Sequence, residues 1–278
     1  MYICPVCKNK LIRAENSWRC PKGHCFDIAR KGHVNLLTTA KHNPKTAGDN
    51  ADMVRARTEF LDKGYYLPLA EKIRSVAEEE LKDKAHPVII DSGCGEGFYS
   101  AELGRINNAC VYGIDISKHA VAHCMTRIHQ AGLKNCEFAV ASSFELPFKG
   151  GSADAVVSVF APVCDEEYAR VLKDEGILIV VSPSPRHLFE LKAAVYDKPY
   201  ENKPNDYKLT RFYNEKDKRR EIVFEYKKLI SSPEDIQSLF MMTPYCFKTS
   251  EEGMARLRAL DSLEVTCGFV IQVYYKKY

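Results

Sequence analysis

From Val88 onward the chain alternates short, almost wholly apolar runs with longer segments whose apolar positions recur at helical spacing. The runs VIID (88–91), CVYGID (110–115), CEFAVA (136–141), DAVVSVF (154–160), GILIVVS (176–182) and EVTCGFVIQVYY (264–275) predict strands. Between them, SKHAVAHCMTRIHQAG (117–132) and CDEEYARVL (164–172) predict helices. Apolar runs alternating with helices belong to a parallel sheet covered on both faces, so this part reads as a doubly wound α/β fold. Upstream, DNADMVRARTEFLDKG (49–64) predicts a helix capped by Asp49 or Asn50, with Val54, Phe60 and Leu61 supplying apolar positions and Gly64 ending it. A second helix follows from Pro68 to Lys82. TTAKHNPKTAGDN (38–50) reads as a polar linker, and YDKPYENKPNDYKLTRFYNEKDKRRE (196–221) as a turn-rich loop or lid within an insert at 196–232. The organisation expected is a Cys-rich module at 1–35, linker and helices at 36–84, and the α/β domain at 85–278.

Charge adds an asymmetry that the overall +3 conceals. Residues 1–48 carry nine Lys/Arg against Glu15 and Asp27, a net +7, so the remaining 230 residues sum to −4. A basic head on a mildly acidic body suits a polyanion. No apolar run approaches bilayer length, and the first residues lack the basic-then-apolar order of a signal peptide. The expectation is a cytoplasmic protein with no membrane partner. Its 11 cysteines are then free thiols except where they hold metal.

The head holds CPVCKNKLIRAENSWRCPKGHCF (4–26), with five side chains able to bind a soft metal: Cys4, Cys7, Cys20, His24 and Cys25. Structural zinc takes four thiolate or imidazole ligands from two short turns. Cys4-x2-Cys7 forms one turn and Cys20 opens the other. The fourth ligand is His24 in C-x2-C-x12-C-x3-H or Cys25 in C-x2-C-x12-C-x4-C, and spacing alone leaves both open. Four protein ligands leave no coordination position for chemistry, so the site is structural.

In VIIDSGCGEGFYSAEL a buried strand ends at Asp91, and Gly93, Gly95 and Gly97 follow before a helix. A dinucleotide site wants G-x-G-x-x-G/A, but Phe98 stands where the third small residue belongs. The D-x-G-x-G-x-G that is present resembles motif I of class I S-adenosylmethionine-dependent methyltransferases. The next strand ends at Asp115, where a carboxylate accepts hydrogen bonds from ribose hydroxyls. VASSFELPF after the third strand sets Ser142 and Ser143 where an adenine edge would be read.

The whole chain resembles the RlmA-like bacterial 23S rRNA (guanine-N1)-methyltransferases. The resemblance rests on CPVC…CPKGHCFD, ARKGHVNLL, GDNADMVRARTEFLDKGYYLPL, DSGCGEGFYS, GIDISK, ASSFELPF, FAPV and SPSPRHLFELK. It implies a Rossmann-like class I fold with a small N-terminal zinc-binding module, and zinc on Cys4, Cys7, Cys20 and His24. It also implies S-adenosyl-L-methionine bound by Tyr66, Asp91, Gly93, Gly95, Glu96, Gly97, Asp115, Ser142 and His187. The implied substrate is a specific guanine in a 23S rRNA hairpin. No residue decides the oligomeric state, and a homodimer is kept open.

Methyl transfer is an in-line displacement in which positioning dominates, but guanine N1 carries a proton and needs a base or a stabilised anion. The fourth strand ends FAPV, where Phe160 is set to stack on the base and the Ala161 or Pro162 carbonyl to orient it. Asp165 and Glu166 are the candidate bases nearby, with helix-start carboxylates as the competing reading. In the head, Trp18, Arg13, Arg19 and Phe26 suit base contacts, with packing against the zinc turns equally open for Trp18. Lys8, Lys10, Lys22, Arg30 and Lys31 suit phosphates. Two other functions compete: a class I enzyme acting on a small molecule, and a non-catalytic RNA-binding protein that retains the cofactor fold.

Overall fold

A computed structural model describes residues 1–38, 48–205, 207–213 and 219–277. Most of the expected linker, at 39–47, lies outside the described residues.

Strands β1 (Ile12–Ala14), β2 (Ser17–Arg19) and β3 (Cys25–Asp27) form a small antiparallel sheet in the head. The main sheet has eight strands: β4 (Val34–Asn35), β5 (Val88–Ser92), β6 (Cys110–Asp115), β7 (Cys136–Val140), β8 (Ala153–Val159), β9 (Leu172–Pro183), β10 (Arg219–Ile230) and β11 (Leu263–Tyr275). Their order is β10-β11-β9-β8-β5-β6-β7-β4. The six from β9 to β4 run parallel, while β11 is antiparallel to both its neighbours. The helices are α1 (Ala51–Asp62), α2 (Leu67–Glu80), α3 (Phe98–Leu103), α4 (Lys118–Gln130), α5 (Asp165–Val171), α6 (Phe189–Val195), α7 (Pro233–Met241) and α8 (Glu251–Arg258). No helix among the described residues is long and apolar enough to cross a membrane.

The chain lays β6 and β7 on one side of β5, then crosses back to lay β8 and β9 on the other. Strand order therefore reverses at β5, and a crevice opens beyond the carboxyl ends of β5 and β8, the usual ligand position in such sheets. Alternation along each strand feeds two cores. Ile89 joins Leu69, Ile73, Leu103 and Val121 on the helical side, and Ile90 joins a second core on the opposite face.

That second core contains Tyr2, Leu11 and Trp18 from the head, packed with Phe148 and Tyr168. Trp18 is buried, its ring edge-on to Tyr2 at 5.2 Å, while Tyr2 stacks on Phe148 at 5.3 Å. Of the two parts open to Trp18, packing is the one it takes, which corrects its place in an RNA platform. Its strand neighbours explain the error: Arg13 and Arg19 are exposed and Phe26 is half-buried, so an aromatic among them looks surface-bound in sequence.

Asn50, rather than Asp49, caps α1, its side chain accepting from the Met53 N–H at 3.0 Å. The backbone carbonyl of Asp49 accepts instead from the Ser117 hydroxyl at 2.6 Å, and its carboxylate pairs with Arg57. The segment expected as loop or lid contains the start of β10, which pairs with β11 along its whole length, from Arg219↔Tyr274 to Ile230↔Leu263. Leu209 and Phe212 upstream are buried, so 207–213 is packed against the domain, while residues 206 and 214–218 of the expected loop lie outside the described residues. The strand was hidden because it lies at the sheet's edge, where exposed Glu221, Val223, Glu225 and Lys227 alternate with half-buried Ile222, Phe224 and Tyr226.

Candidate functional site

In the head, the side chains of Cys4, Cys7, Cys20 and His24 converge until their ligand atoms all lie within 4.8 Å of one another. His24 Nδ1 is 3.5 Å from Cys4 Sγ and 3.3 Å from Cys20 Sγ, and the Cys7 and Cys20 sulfurs are 3.5 Å apart. Tetrahedral zinc with Zn–S near 2.3 Å and Zn–N near 2.0–2.1 Å sets its donors about 3.5–3.8 Å apart, so the four residues fit the ion. Asn9 hydrogen-bonds Cys7 and lowers its thiol to about 6, favouring the thiolate that binds metal. Cys25 opens β3 with its side chain exposed and stands outside the cluster. Geometry thus decides the question that spacing left open, in favour of His24.

The crevice beyond β5 and β8 is a cavity of about 730 Å³, within the size range of small-molecule sites. Of the residues expected to hold cofactor, Tyr66, Gly93, Gly95, Glu96, Asp115, Ser142 and His187 line it; Asp91 and Gly97 do not. Gly93 has φ 79°, and a Cβ there would lie 2.4 Å from that of Ala161, so only glycine lets the β5 and β8 loops meet. Gly97, at φ 88°, would bring a Cβ 3.1 Å from Cys124 Cα; it serves the packing of α3 on α4. Asp91 is buried behind the loop and accepts from the Ser100 hydroxyl at 2.5 Å. Burial pushes its carboxyl up to about 7, the charge of Asp115 adding to the effect.

Asp115 braces the loop. Its Oδ2 accepts from the Gly95 N–H at 3.0 Å and its Oδ1 from the Ser117 N–H at 2.8 Å. Each carboxylate oxygen keeps a lone pair for a further donor. Burial raises the pKa of Asp115, and the two N–H donors oppose that rise. Glu96 is buried with Oε2 held by Arg127 at 2.5 and 2.9 Å, while its Oε1 has no protein partner. His187, also buried, has Nε2 3.4 Å from the Tyr66 hydroxyl and an unpartnered Nδ1. Burial, helped by Lys192, depresses its pKa to about 3, so the ring is neutral. Two orphaned polar atoms, a carboxylate at the ribose position and an open glycine backbone suit a polar, zwitterionic nucleoside such as S-adenosylmethionine.

At the end of β8, Phe160 has φ 54°, a left-handed conformation rare for a bulky residue. Its N–H bonds the Val181 carbonyl at 3.1 Å, and its ring stays 43% exposed while stacking on His187 and contacting Phe269. Strain of this kind concentrates at functional sites. Asp165 and Glu166 do not line the cavity. Asp165 instead accepts from the Thr210 N–H and hydroxyl and the Arg211 N–H, tying down the 207–213 connection, while Glu166 is exposed on α5. Those two candidate bases are therefore corrected.

Sequence reasoning had not singled out Arg57, Tyr99, Asn202 or Tyr245, all of which line the cavity. Asn202 is held on every side: its oxygen accepts from Lys192 and Tyr245, and its amide donates to the Ser184 and His187 carbonyls. Lys192 is fully buried, its ammonium donating to the Tyr200 carbonyl and Asn202 and lying over the Tyr200 and Tyr245 rings, an expensive placement that marks this wall as built. A lysine in the apolar register of a helix was the signal available in the sequence.

A family model described as a methyltransferase domain matches residues 83–232, and one for the RlmA N-terminal zinc ribbon matches residues 2–45. The 23S rRNA (guanine(748)-N(1))-methyltransferase of Streptomyces fradiae is 37% identical over 194 residues, 69% of this chain and 66% of that protein. A Micromonospora griseorubida protein, provisionally named 23S rRNA (guanine-N(1)-)-methyltransferase, is 35% identical over 68% of this chain and 67% of its own. YxjB of Bacillus subtilis (strain 168), provisionally given the same activity, is 29% identical over 96% of this chain and 94% of its own. With both family models matched and relatives 35% and 37% identical over about two thirds of the chain, this chain belongs to the RlmA-like 23S rRNA (guanine-N1)-methyltransferase family.

Proposed function

We propose that this protein transfers a methyl group from S-adenosylmethionine to N1 of a guanine in a 23S rRNA hairpin. The observation that carries the reading is one cavity that runs from Asp115 at the end of β6, past the glycine loop, to the exposed ring of Phe160 at the end of β8. Bound S-adenosylmethionine supplies an electrophilic methyl on a sulfonium centre. Asp115 accepts the ribose hydroxyls, Ser142 meets the adenine edge, and Tyr66, Glu96 and His187 meet the amino-acid end. Asp91 and Gly97 act from behind, shaping the loop.

A guanine paired in a helix hides N1, so the target base is unpaired or flipped out. Phe160 then stacks on it, and the Ala161 and Pro162 backbone orients its edge. Of the lining carboxylates, Asp49 pairs with Arg57, Asp115 is held by backbone N–H groups, and Glu96 has one oxygen on Arg127 and the other left for the amino-acid end of the cofactor, while the neutral His187 is a weak base. The methyl passes from sulfur to N1, S-adenosylhomocysteine leaves, and the N1 proton is lost to solvent water, so positioning is the main contribution of these residues. Arg13, Arg19, Lys10 and Lys22, exposed on the ribbon, meet the RNA. A ribosomal RNA substrate makes the cytoplasm its place of work.

The test is incubation with methyl-labelled S-adenosylmethionine and undermethylated 23S rRNA, followed by nucleoside analysis. Label in 1-methylguanosine is expected. Label at another position, or only on small molecules, rejects the reading.

A further inference from the structure

The zinc ribbon touches the cofactor cavity through one loop. Residues 142–148 follow β7, and Ser142, Ser143 and Phe144 line the cavity. The next residues are gripped by the ribbon. Lys8 pairs with Glu145 at 2.6 Å, the Ile3 N–H donates to the Pro147 carbonyl at 2.8 Å, and Tyr2 both bridges and stacks on Phe148. The first zinc turn, Cys4 to Cys7, lies between these grips. The Lys8 N–H donates to the Cys4 carbonyl and the Cys4 N–H to that of Asn9, each at 2.8 Å. Lys8 itself is held at φ 60°, a conformation that a lysine keeps only where its surroundings impose it. Past the ribbon, β4 pairs with β7, and the Leu36 N–H reaches the Val140 carbonyl at 2.9 Å. The loop is thus held from its edge as well as from its far end.

Helix α5 holds the same loop differently. Glu167 accepts from the Leu146 N–H, and Arg170 donates to the Leu146 and Phe148 carbonyls. Tyr168 of the same helix also hydrogen-bonds Ser143. The helix thus holds the loop at Ser143, Leu146 and Phe148, and the ribbon adds its own grips at Glu145 and Pro147 between them.

We infer that the zinc ribbon is a clamp on the cofactor site, with Lys8 and Tyr2 as positioning residues that set the 142–148 loop for S-adenosylmethionine independently of RNA. The inference rests on the methyltransferase reading and adds a second duty to a module otherwise assigned to RNA alone. Metal at Cys4, Cys7, Cys20 and His24 fixes the turn, the turn fixes Ile3 and Lys8, and these fix the loop. Cofactor affinity therefore depends on a metal that never touches the cofactor.

The experiment is calorimetric titration of S-adenosylhomocysteine into the full chain without RNA. It compares zinc-loaded and chelator-treated protein with the variants Lys8→Ala, Lys8→Arg and Glu145→Ala, and circular dichroism checks that each is folded. Lys8→Ala and Glu145→Ala are each expected to weaken binding about two- to fivefold at low salt, the reach of one exposed ion pair. Lys8→Arg restores most of it, and the double variant loses no more than Glu145→Ala alone. Zinc removal weakens binding by about tenfold or more, since every ribbon contact loosens together. Wild-type affinity for S-adenosylhomocysteine in both single variants overturns the clamp, even if zinc-free protein unfolds. If the unmodified protein failed to bind S-adenosylhomocysteine, the proposed function would fall and the clamp with it. Normal binding with unaffected variants removes the clamp alone.

Discussion

The ring of Phe160 lies over that of His187, centroids 6.3 Å apart and planes 23° from parallel, at the mouth of the cavity. One partner is buried and neutral; the other is strained, and exposed on its outer face. An exposed aromatic held from behind is a platform for a nucleobase, and such stacking contributes about 1–3 kcal/mol per base. Phe160→Ala should therefore cut kcat/KM for RNA by about 5- to 150-fold. Phe160→Tyr should stay near the parent, and S-adenosylhomocysteine affinity should change little in either. Steady-state methylation together with calorimetry checks this; an equal loss in both quantities would assign Phe160 to the cofactor.

Asp115 uses both carboxylate oxygens on backbone donors, Gly95 N–H and Ser117 N–H. An amide cannot replace it, because its NH2 group would face one of those donors. Asp115→Asn should thus lose affinity for S-adenosylhomocysteine almost as fully as Asp115→Ala. Each loss should be on the order of 100-fold, as expected when hydrogen bonds to a charged acceptor vanish. Retention of binding by the asparagine variant would show that the carboxylate serves neither loop nor ribose.

The parallel strands were readable in the sequence because burial on both faces leaves unbroken apolar runs such as ILIVV at 177–181. β10 was not, because it is an edge strand whose wet face mixes Glu221, Glu225 and Lys227 with exposed Val223 and Leu229, and it opens within the charged stretch KDKRRE (216–221). The glycines could be counted but not sorted. Only contacts show that Gly93 answers to Ala161 and Gly97 to Cys124. Docking of the ribbon was illegible for a related reason. Tyr2 and Trp18 lie among lysines and arginines in the chain, and their burial depends on Phe148, some 130 residues away, a pairing that no local pattern encodes.

Asp91 gives a prediction in pH. Its carboxyl titrates at about 7 when folded, against an ordinary 3.8, chiefly because it is buried. Between those values the folded protein holds a proton that the unfolded chain has released. Stability from this group is therefore complete below about pH 4, falls as pH rises toward about 7, and then levels, by on the order of 2–4 kcal/mol in total. Asp91→Asn keeps a neutral acceptor for Ser100 and has no proton to lose. Thermal melts at pH 5 and pH 8 should differ less in the variant than in the parent. Glu96 and Asp115, also raised by burial, leave part of the slope in place. An unchanged slope would mean that Asp91 is ionised in the fold.

The ribbon's ligand set can be tested without any assay of catalysis. His24 Nδ1 stands 3.3 and 3.5 Å from two of the sulfurs, whereas Cys25 faces solvent from the first position of β3. Cys25→Ser should keep one zinc per chain, and His24→Ala should lose most of it. Structural zinc supplies a large share of the folding energy of such a module, so loss should also lower the melting temperature. His24→Cys is the sharper probe. It restores a soft donor at the same backbone position in the turn that Cys20 opens, and should recover metal through a four-thiolate site. Metal content by atomic emission decides the matter: full zinc in His24→Ala with loss in Cys25→Ser would reverse the assignment and require the second turn to close one residue later.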